Sequence, residues 1–247
     1  MLIVESDPSE RLTKISEARQ LITAQDLVAW TVWQHEQNGS SLPFERQANL
    51  LEFYERSIED GNQPFDGSDI ENPAIFAIFD GLKIVASGTV YRSDYYIPER
   101  FLPDGHEYGY LDASRTDSDH TNKGFNTLIT NARIRWAQEQ GLSWVSTNVS
   151  SRNLGSIRAK LKAGFILNTN LRALELVYPI SEGAKNSLGI QKDQASIIYN
   201  SVIYDQDTDL STMFPVSYGV LDHNIGPVPG QIALRMIPRD FGGPREI

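Results

Sequence analysis

The chain has 247 residues, no cysteine and four histidines, and 22 bases against 32 acids leave a formal net charge of −10. That length suits one large domain, or one domain with an appendage. The missing cysteines exclude disulfides, thiolate nucleophiles and cysteine-built metal sites, and four histidines without metal-ligand spacing argue against a metal centre, so no metal is expected. The acidic balance argues against a nucleic-acid partner.

No apolar run approaches the ~18 residues of a membrane span. The opening MLIVESDPSERL has the character of neither a signal nor a transit peptide, so a cytoplasmic location is expected. The charge is unevenly spread. Residues 1–73 carry 5 bases and 14 acids, whereas residues 115–165 carry 8 bases and 3 acids. A basic island in an acidic chain suits a polyanionic ligand.

In chain order, the spacing predicts a first helix over 24–38, started by Thr23 with Asp26, striped by Leu27, Val28 and Val32, and stopped by Gly39. A second helix is predicted over 43–60, with Pro43 near its first turn and Gly61 beyond its last. Phe44, Ala48, Leu51, Tyr54 and Ile58 form its expected inner face. Trp30, Trp33, Phe53 and Tyr54 are expected in the core. Residues 61–73 are turn chemistry.

The period then changes to two. Residues 74–79 and 82–91 read as a β-hairpin around Asp80-Gly81. A Pro-interrupted loop, 92–105, leads to a strand over 107–116. A polar loop, DSDHTNKGFN, opens a helix over 126–140 that Gly141 ends. Strand 143–149 and helix 154–163 follow, and from Phe165 the chain reads as a strand to Tyr178. The order is that of a mixed α/β domain with an antiparallel start and an internal βαβ unit. Beyond 179, strands are predicted at 197–204 and 231–237, and this part is expected either to complete the sheet or to cap a substrate channel.

A strand, a glycine-containing polar loop and a helix in succession make an anion site, because the first main-chain N–H groups of the helix point at the ligand and its dipole favours negative charge. Here Gly124 permits close backbone approach and Lys123 adds charge. The whole stretch 107–165 resembles the GNAT superfamily of N-acyltransferases. The family's pyrophosphate loop, (Arg/Gln)-x-x-Gly-x-(Gly/Ala), aligns with Thr121-Asn122-Lys123-Gly124-Phe125-Asn126. The long helix aligns with ITNARIRWAQEQG, the next strand with SWVSTNV, and the closing Asn…Gly-Phe with Asn153 and Gly164-Phe165. The resemblance covers about residues 20–178. It implies a GNAT-like domain over 1–178, with a mixed, mostly antiparallel sheet flanked by helices, and a β-rich C-terminal extension over 179–247.

The resemblance also implies acyl-CoA as the acyl donor, held by Thr116, Asp117, Thr121, Asn122, Lys123, Gly124, Phe125, Asn126, Asn153 and Arg158. The basic island then faces the phosphates of coenzyme A. Thr121 and Asn126 depart from the loop pattern, and Lys160 stands where many members carry a tyrosine that protonates the leaving thiolate. Lys160 either supplies that proton or contacts phosphate from the surface. Without cysteine, an amine must attack the thioester directly. The base is Glu107 or Asp112, five apart and so on opposite faces of one strand. Backbone amides of 113–116 would polarise the thioester carbonyl, and His120 is expected to bond within the loop.

The acceptor implied is a small-molecule or peptide amine, and the acidic N-terminal helices suit a cationic one. The donor group is acetyl or another short acyl by default. The extra length leaves a long-chain fatty-acyl transferase open, drawing on acyl-CoA or an acyl-carrier protein and acting on a peptide or small amine. A non-catalytic acyl-CoA-binding domain is the third reading.

Overall fold

The computed structural model describes residues 17–60, 73–93, 107–150, 152–168, 174–187, 200–204, 217–221 and 231–238. The expected turn segment 61–73, apart from Pro73, and most of the expected loop 92–105 lie outside the described residues, as do residues 197–199 of the first predicted C-terminal strand. The chain divides into two compact units, residues 1–91 with 113–133 and residues 92–112 with 134–247.

The first unit holds β1 (Arg19–Gln20), α1 (Ala24–Gln37), α2 (Phe44–Glu59), β2 (Ala74–Asp80) and β3 (Lys83–Arg92), then the end of β4 (Tyr108–Thr116), a 3-10 turn (Ser118–His120) and the start of α3 (Phe125–Glu139). Local chemistry sets its helix boundaries. Thr23 Oγ1 accepts from the Asp26 N–H at 3.1 Å, and Arg19 holds the Asp26 carboxylate in a fork at 2.8 and 3.0 Å. Gly39, with φ of 72°, lies just beyond α1.

β2 and β3 form the expected hairpin, but its turn lies one residue later than expected. Asp80 pairs with Lys83, so Gly81 and Leu82 make the loop, with Gly81 at φ 62° and a bulge between Ile78 and Phe79. The register shift skips Val85 on β3 and so closes the hairpin on a two-residue loop. Leu21, Ala24, Leu27, Trp33, Tyr54, Ile75, Ala77 and Ile84 form the core here, and each large apolar side chain contributes roughly 1.5–3 kcal/mol by leaving water.

Two expectations about α2 are corrected. Phe44 is 84% exposed and Ile58 39%, and Phe53, expected in the core, is 44% exposed. Only the middle of the expected apolar face, at Tyr54, is fully buried in the core. Toward its start, Phe44, Ala48 and Leu51 line an open groove of about 520 Å3 shared with Val28 and Val32 of α1 and Leu82 of the hairpin turn.

The second unit continues from the start of β4 through the end of α3 to β5 (Trp144–Val149), α4 (Leu154–Lys162), β6 (Ile166–Asn168), β7 (Leu174–Pro179), α5 (Glu182–Ser187), β8 (Asn200–Tyr204), β9 (Ser217–Leu221) and β10 (Ile232–Pro238). Its strands run in the order β4-β5-β7-β6-β9-β10-β8. β4 and β5 pair in parallel through Tyr108–Tyr110 and Trp144–Ser146. The later pairs are antiparallel. The architecture is mixed α/β with a mostly antiparallel sheet.

The expected single strand from Phe165 to Tyr178 is a hairpin. Ile166 faces Val177 and Leu167 faces Leu176 across β6 and β7. Leu167 also pairs with Gly219 of β9, so strands beyond residue 179 extend this sheet. α5, β9 and β1 were not expected. α5 starts on a Ser181 side chain that accepts from the Ala184 N–H at 3.0 Å.

Candidate active site

The phosphate-type loop lies where β4 hands over to α3, within the first unit. Half-buried Thr116 closes β4. The Asp117 N–H then donates to the Val85 carbonyl at 2.8 Å. The Asp117 carboxylate, nearly buried, accepts from Lys83 Nζ at 2.7 Å and from the Asp119 N–H at 3.4 Å, capping the 3-10 turn. The hydrogen bond from Lys83 holds the Asp117 carboxyl below the ordinary aspartate range, and the same bond raises the Lys83 ammonium.

A second brace comes from the same hairpin. His120 Nε2 lies 3.5 Å from Asp80, and its ring stacks on Phe125 with centroids 6.1 Å apart.

From this anchored start the backbone turns through left-handed conformations at Asn122 (φ 62°) and Gly124 (φ 80°). The N–H groups of Asn122, Lys123, Gly124, Phe125 and Asn126 have no acceptor among the described residues. A Cβ at Gly124 would meet nothing within 4 Å, so the space beside that backbone is open. Asn122, Lys123 and Gly124 are exposed, while Phe125 is buried and anchors the helix start.

Five main-chain donors in succession, a helix N-terminus and an exposed lysine fit a pyrophosphate such as that of coenzyme A. The two departures from the family loop do not block it. Thr121 Oγ1 donates to the Ser118 carbonyl at 3.1 Å, closing the turn behind it. Asn126 Oδ1 lies 3.5 Å from Thr130 Oγ1, one helical turn on, so its side chain is engaged along α3.

The remaining candidates lie in the second unit. Past Tyr110 the main-chain ladder between β4 and β5 gives way to side-chain links. Thr147 Oγ1 donates to the Leu111 carbonyl at 2.8 Å, and the Asn148 N–H donates to the Tyr110 hydroxyl at 3.3 Å. Asp112 follows, exposed. Glu107 stands one residue before β4 starts and is paired with Arg92 at 2.7 Å. The expected alternation of these two carboxylates on one strand therefore does not apply, and both are exposed.

On α4, Asn153 Oδ1 accepts from the Ser156 N–H at 3.0 Å and caps the helix. Arg158 Nη2 donates to the Gln231 carbonyl at the start of β10, so its guanidinium is engaged by the C-terminal part of the chain. Lys160 is not a surface lysine. It is 1% exposed, with Nζ 5.9 Å from the Phe165 ring centroid.

The structure thus brings Thr116, Asp117 and residues 121–126 together in one segment, and places Asn153, Arg158 and Lys160 on one short helix. Reading the sequence missed Lys83, which anchors the loop across 34 residues, and Arg133, buried in α3. The legible signal for Arg133 was Gly88, an isolated glycine inside a strand, which marks a close approach.

The family model for acetyltransferase (GNAT) matches residues 30–165. No curated protein matches the chain in sequence. Among solved structures, an aminoglycoside acetyltransferase in complex with coenzyme A is 18% identical, with 69% of this chain and 96% of that one covered and a TM-score of 0.46. A GNAT acetyltransferase from Streptococcus pneumoniae is 17% identical, covering 66% and 98%, with a TM-score of 0.45. An acetyltransferase from Salmonella typhimurium with acetyl-CoA is 14% identical, covering 68% and 96%, with a TM-score of 0.43. The matched segment is more than half of the chain and contains the loop and helix starts described above, and the chain belongs to the GNAT acetyltransferase family of acyl-CoA-dependent acyltransferases.

Proposed function

We propose that this protein transfers a short acyl group, acetyl by default, from coenzyme A to the primary amine of a small molecule or peptide by direct attack. The observation that carries the reading is the run of five main-chain N–H groups at residues 122–126 without an acceptor, set at the start of α3 beside the open space at Gly124.

In this reading residues 1–178 are the acyltransferase domain and 179–247 an extension. Thr116, Asp117 and residues 121–126 bind the phosphates, the loop through its amides and Lys123 through charge. Asn153 and Arg158 add contacts from α4. Bound acyl-CoA supplies an activated thioester. Backbone N–H groups of 113–116 donate hydrogen bonds to the carbonyl oxygen as negative charge develops on it. Glu107 or Asp112 takes the amine proton, and Lys160 returns a proton to the departing sulfur.

Arg92 engages the Glu107 carboxylate at 2.7 Å and competes with an amine for its oxygens. The acidic N-terminal helices support a cationic acceptor, because opposite charge raises its local concentration.

The test is a titration of the intact protein with coenzyme A, acetyl-CoA and a C8–C16 acyl-CoA series, followed by turnover against a panel of amines. Binding of all members with affinity flat in chain length, together with turnover of acetyl-CoA, is expected. Affinity climbing by about 0.8 kcal/mol per added methylene would replace the short-chain donor with a fatty-acyl one. Binding without turnover would leave an acyl-CoA-binding protein, and no binding would overturn the reading.

A further inference from the structure

The most exposed large apolar side chains among the described residues are Leu82, at 100%, and Phe44, at 84%. Leu82 stands in the turn between β2 and β3, Phe44 opens α2, and both border one groove. Exposed apolar groups gathered in a concave place mark a binding site more often than chance. The groove, about 520 Å3, lies wholly within the first unit. Val28 and Val32 of α1 and Ala48 and Leu51 of α2 make its apolar walls. A volume of that size suits a small organic molecule.

The polar groups of the groove indicate which kind. Gln25 adds a neutral amide. Gln47 Nε2 already donates to the Leu42 carbonyl at 2.8 Å, and Lys83 Nζ is bound to Asp117 at 2.7 Å. Glu36 is the other charged residue of the lining, and its exposed carboxylate has no partner among the described residues. An apolar groove with one uncompensated carboxylate complements a ligand with an apolar body and one cationic group.

The wall formed by Leu82, Lys83 and Ile84 also supports the loop that leads into α3. Lys83 holds the Asp117 carboxylate, and the Val85 carbonyl accepts from the Asp117 N–H at 2.8 Å. Across the turn, Asp80 lies 3.5 Å from His120 Nε2. The turn that carries these braces is only Gly81 and Leu82, and Leu82 stands wholly in water. A ligand that covers Leu82 therefore packs against the support of the loop.

We propose that this groove is an effector site for a small apolar ammonium compound, and that its occupation steadies the hairpin turn and strengthens the hold of the loop on coenzyme A. The binding half stands on the groove alone. The coupling half rests on the proposed function, because it takes the loop as the coenzyme A site. Coupling between two sites is reciprocal, so coenzyme A must tighten the amine by the same factor.

The probes are octylammonium, octanol and octanoate, titrated into the intact protein by calorimetry with and without coenzyme A. No acyl donor is present, so the amine cannot be consumed. Octylammonium should bind about two- to fivefold tighter than octanol, with octanoate weaker still, and Glu36→Gln should level the three. Ala48→Leu fills the groove from an exposed helix position where both residues are strong helix formers, and should cost octylammonium about tenfold or more. Saturating octylammonium should raise coenzyme A affinity about two- to fivefold, and Lys83→Met should abolish that gain while octylammonium still binds.

Binding that ignores Ala48→Leu, or no binding of any probe, would overturn the site. Equal affinity for octanoate would overturn its cationic preference. Octylammonium binding that leaves coenzyme A affinity unchanged or lowers it would overturn the coupling. A dimer of the free protein that Leu82→Ser dissociates, seen by sedimentation, would show that a second copy fills the groove and would overturn the amine. Wild type that binds octylammonium but not coenzyme A would overturn the proposed function and the coupling together, and leave the groove site standing.

Discussion

Two helix starts carry the residues through which this protein resembles its family, and they are built in opposite ways. At α4 the side chain of Asn153 turns back on its own helix and satisfies the Ser156 N–H at 3.0 Å. At α3 no side chain among the described residues does this, and the N–H groups of residues 122–126 are left for something else.

A helix has four N-terminal N–H groups without internal partners, and their loss to a low-dielectric setting is costly unless something accepts them. Capping is the self-sufficient solution. An uncapped start that is nonetheless anchored on both sides, by the Asp117 brace and by buried Phe125, is preorganised for an external anion. The contrast teaches that a ligand-binding helix start is marked by what its own side chains decline to satisfy.

The contrast breaks most visibly at Gly124. Its φ of 80° and open surroundings mean that Gly124→Val meets backbone strain and places a side chain where the ligand should lie, without disturbing packing. A side chain in the ligand's space should lower coenzyme A affinity by roughly 10- to 100-fold, while the strain should lower the melting temperature by only a few degrees. Calorimetry and thermal unfolding check the two effects separately. A large loss of stability instead would mean that the loop is structural.

Asn153 sharpens the comparison. Asn153→Ala should cost about 1 kcal/mol of stability by uncapping α4. Asn153→Ser, which still caps, should recover that stability. If the amide also contacts coenzyme A, affinity should fall in both variants, and denaturant unfolding run beside ligand titration separates the two roles.

The smallest expected effect is at Lys83, an exposed cation that acts through Asp117. Lys83→Met should weaken coenzyme A binding about two- to fivefold by loosening the loop start. The pH dependence has a definite sign. Asp117 is depressed, so its contribution is complete above the ordinary aspartate value and is lost as pH falls through the lowered one. Lys83 is raised, so its contribution is complete below its ordinary value and is lost only as pH rises through the higher one. The difference between wild type and Lys83→Met should therefore be flat from about pH 6 to 9 and shrink in acid. Affinity measured across that range checks it.

Local rules carried far along this chain. Thr23, Gly39 and Gly141 mark helix limits that the structure keeps within a residue, because capping and left-handed turns depend on neighbours a few positions away. The loop 121–126 was legible for the same reason, since its chemistry is main-chain geometry set by one glycine at the head of one helix. The hairpin at 166–179 was not, because its residues are strand-like on both sides and only pairing reveals the reversal. Phe44 and Ile58 misled for a related reason. A helical stripe says which residues share a face, not whether anything covers that face.

By itself, then, the sequence determined the order of elements from α1 to α4, the family and the glycine-containing loop at the head of α3, all of which follow from interactions spanning a few residues. Tertiary structure alone decided the burial of Lys160, the commitment of Arg158 to Gln231 across 73 residues, the Lys83 brace and the fit of Arg133 against Gly88. The last three pair groups far apart in the chain. Whether a charged side chain meets water, a carbonyl or a hydroxyl depends on which distant backbone the fold delivers to it, and no local pattern of residues encodes that delivery.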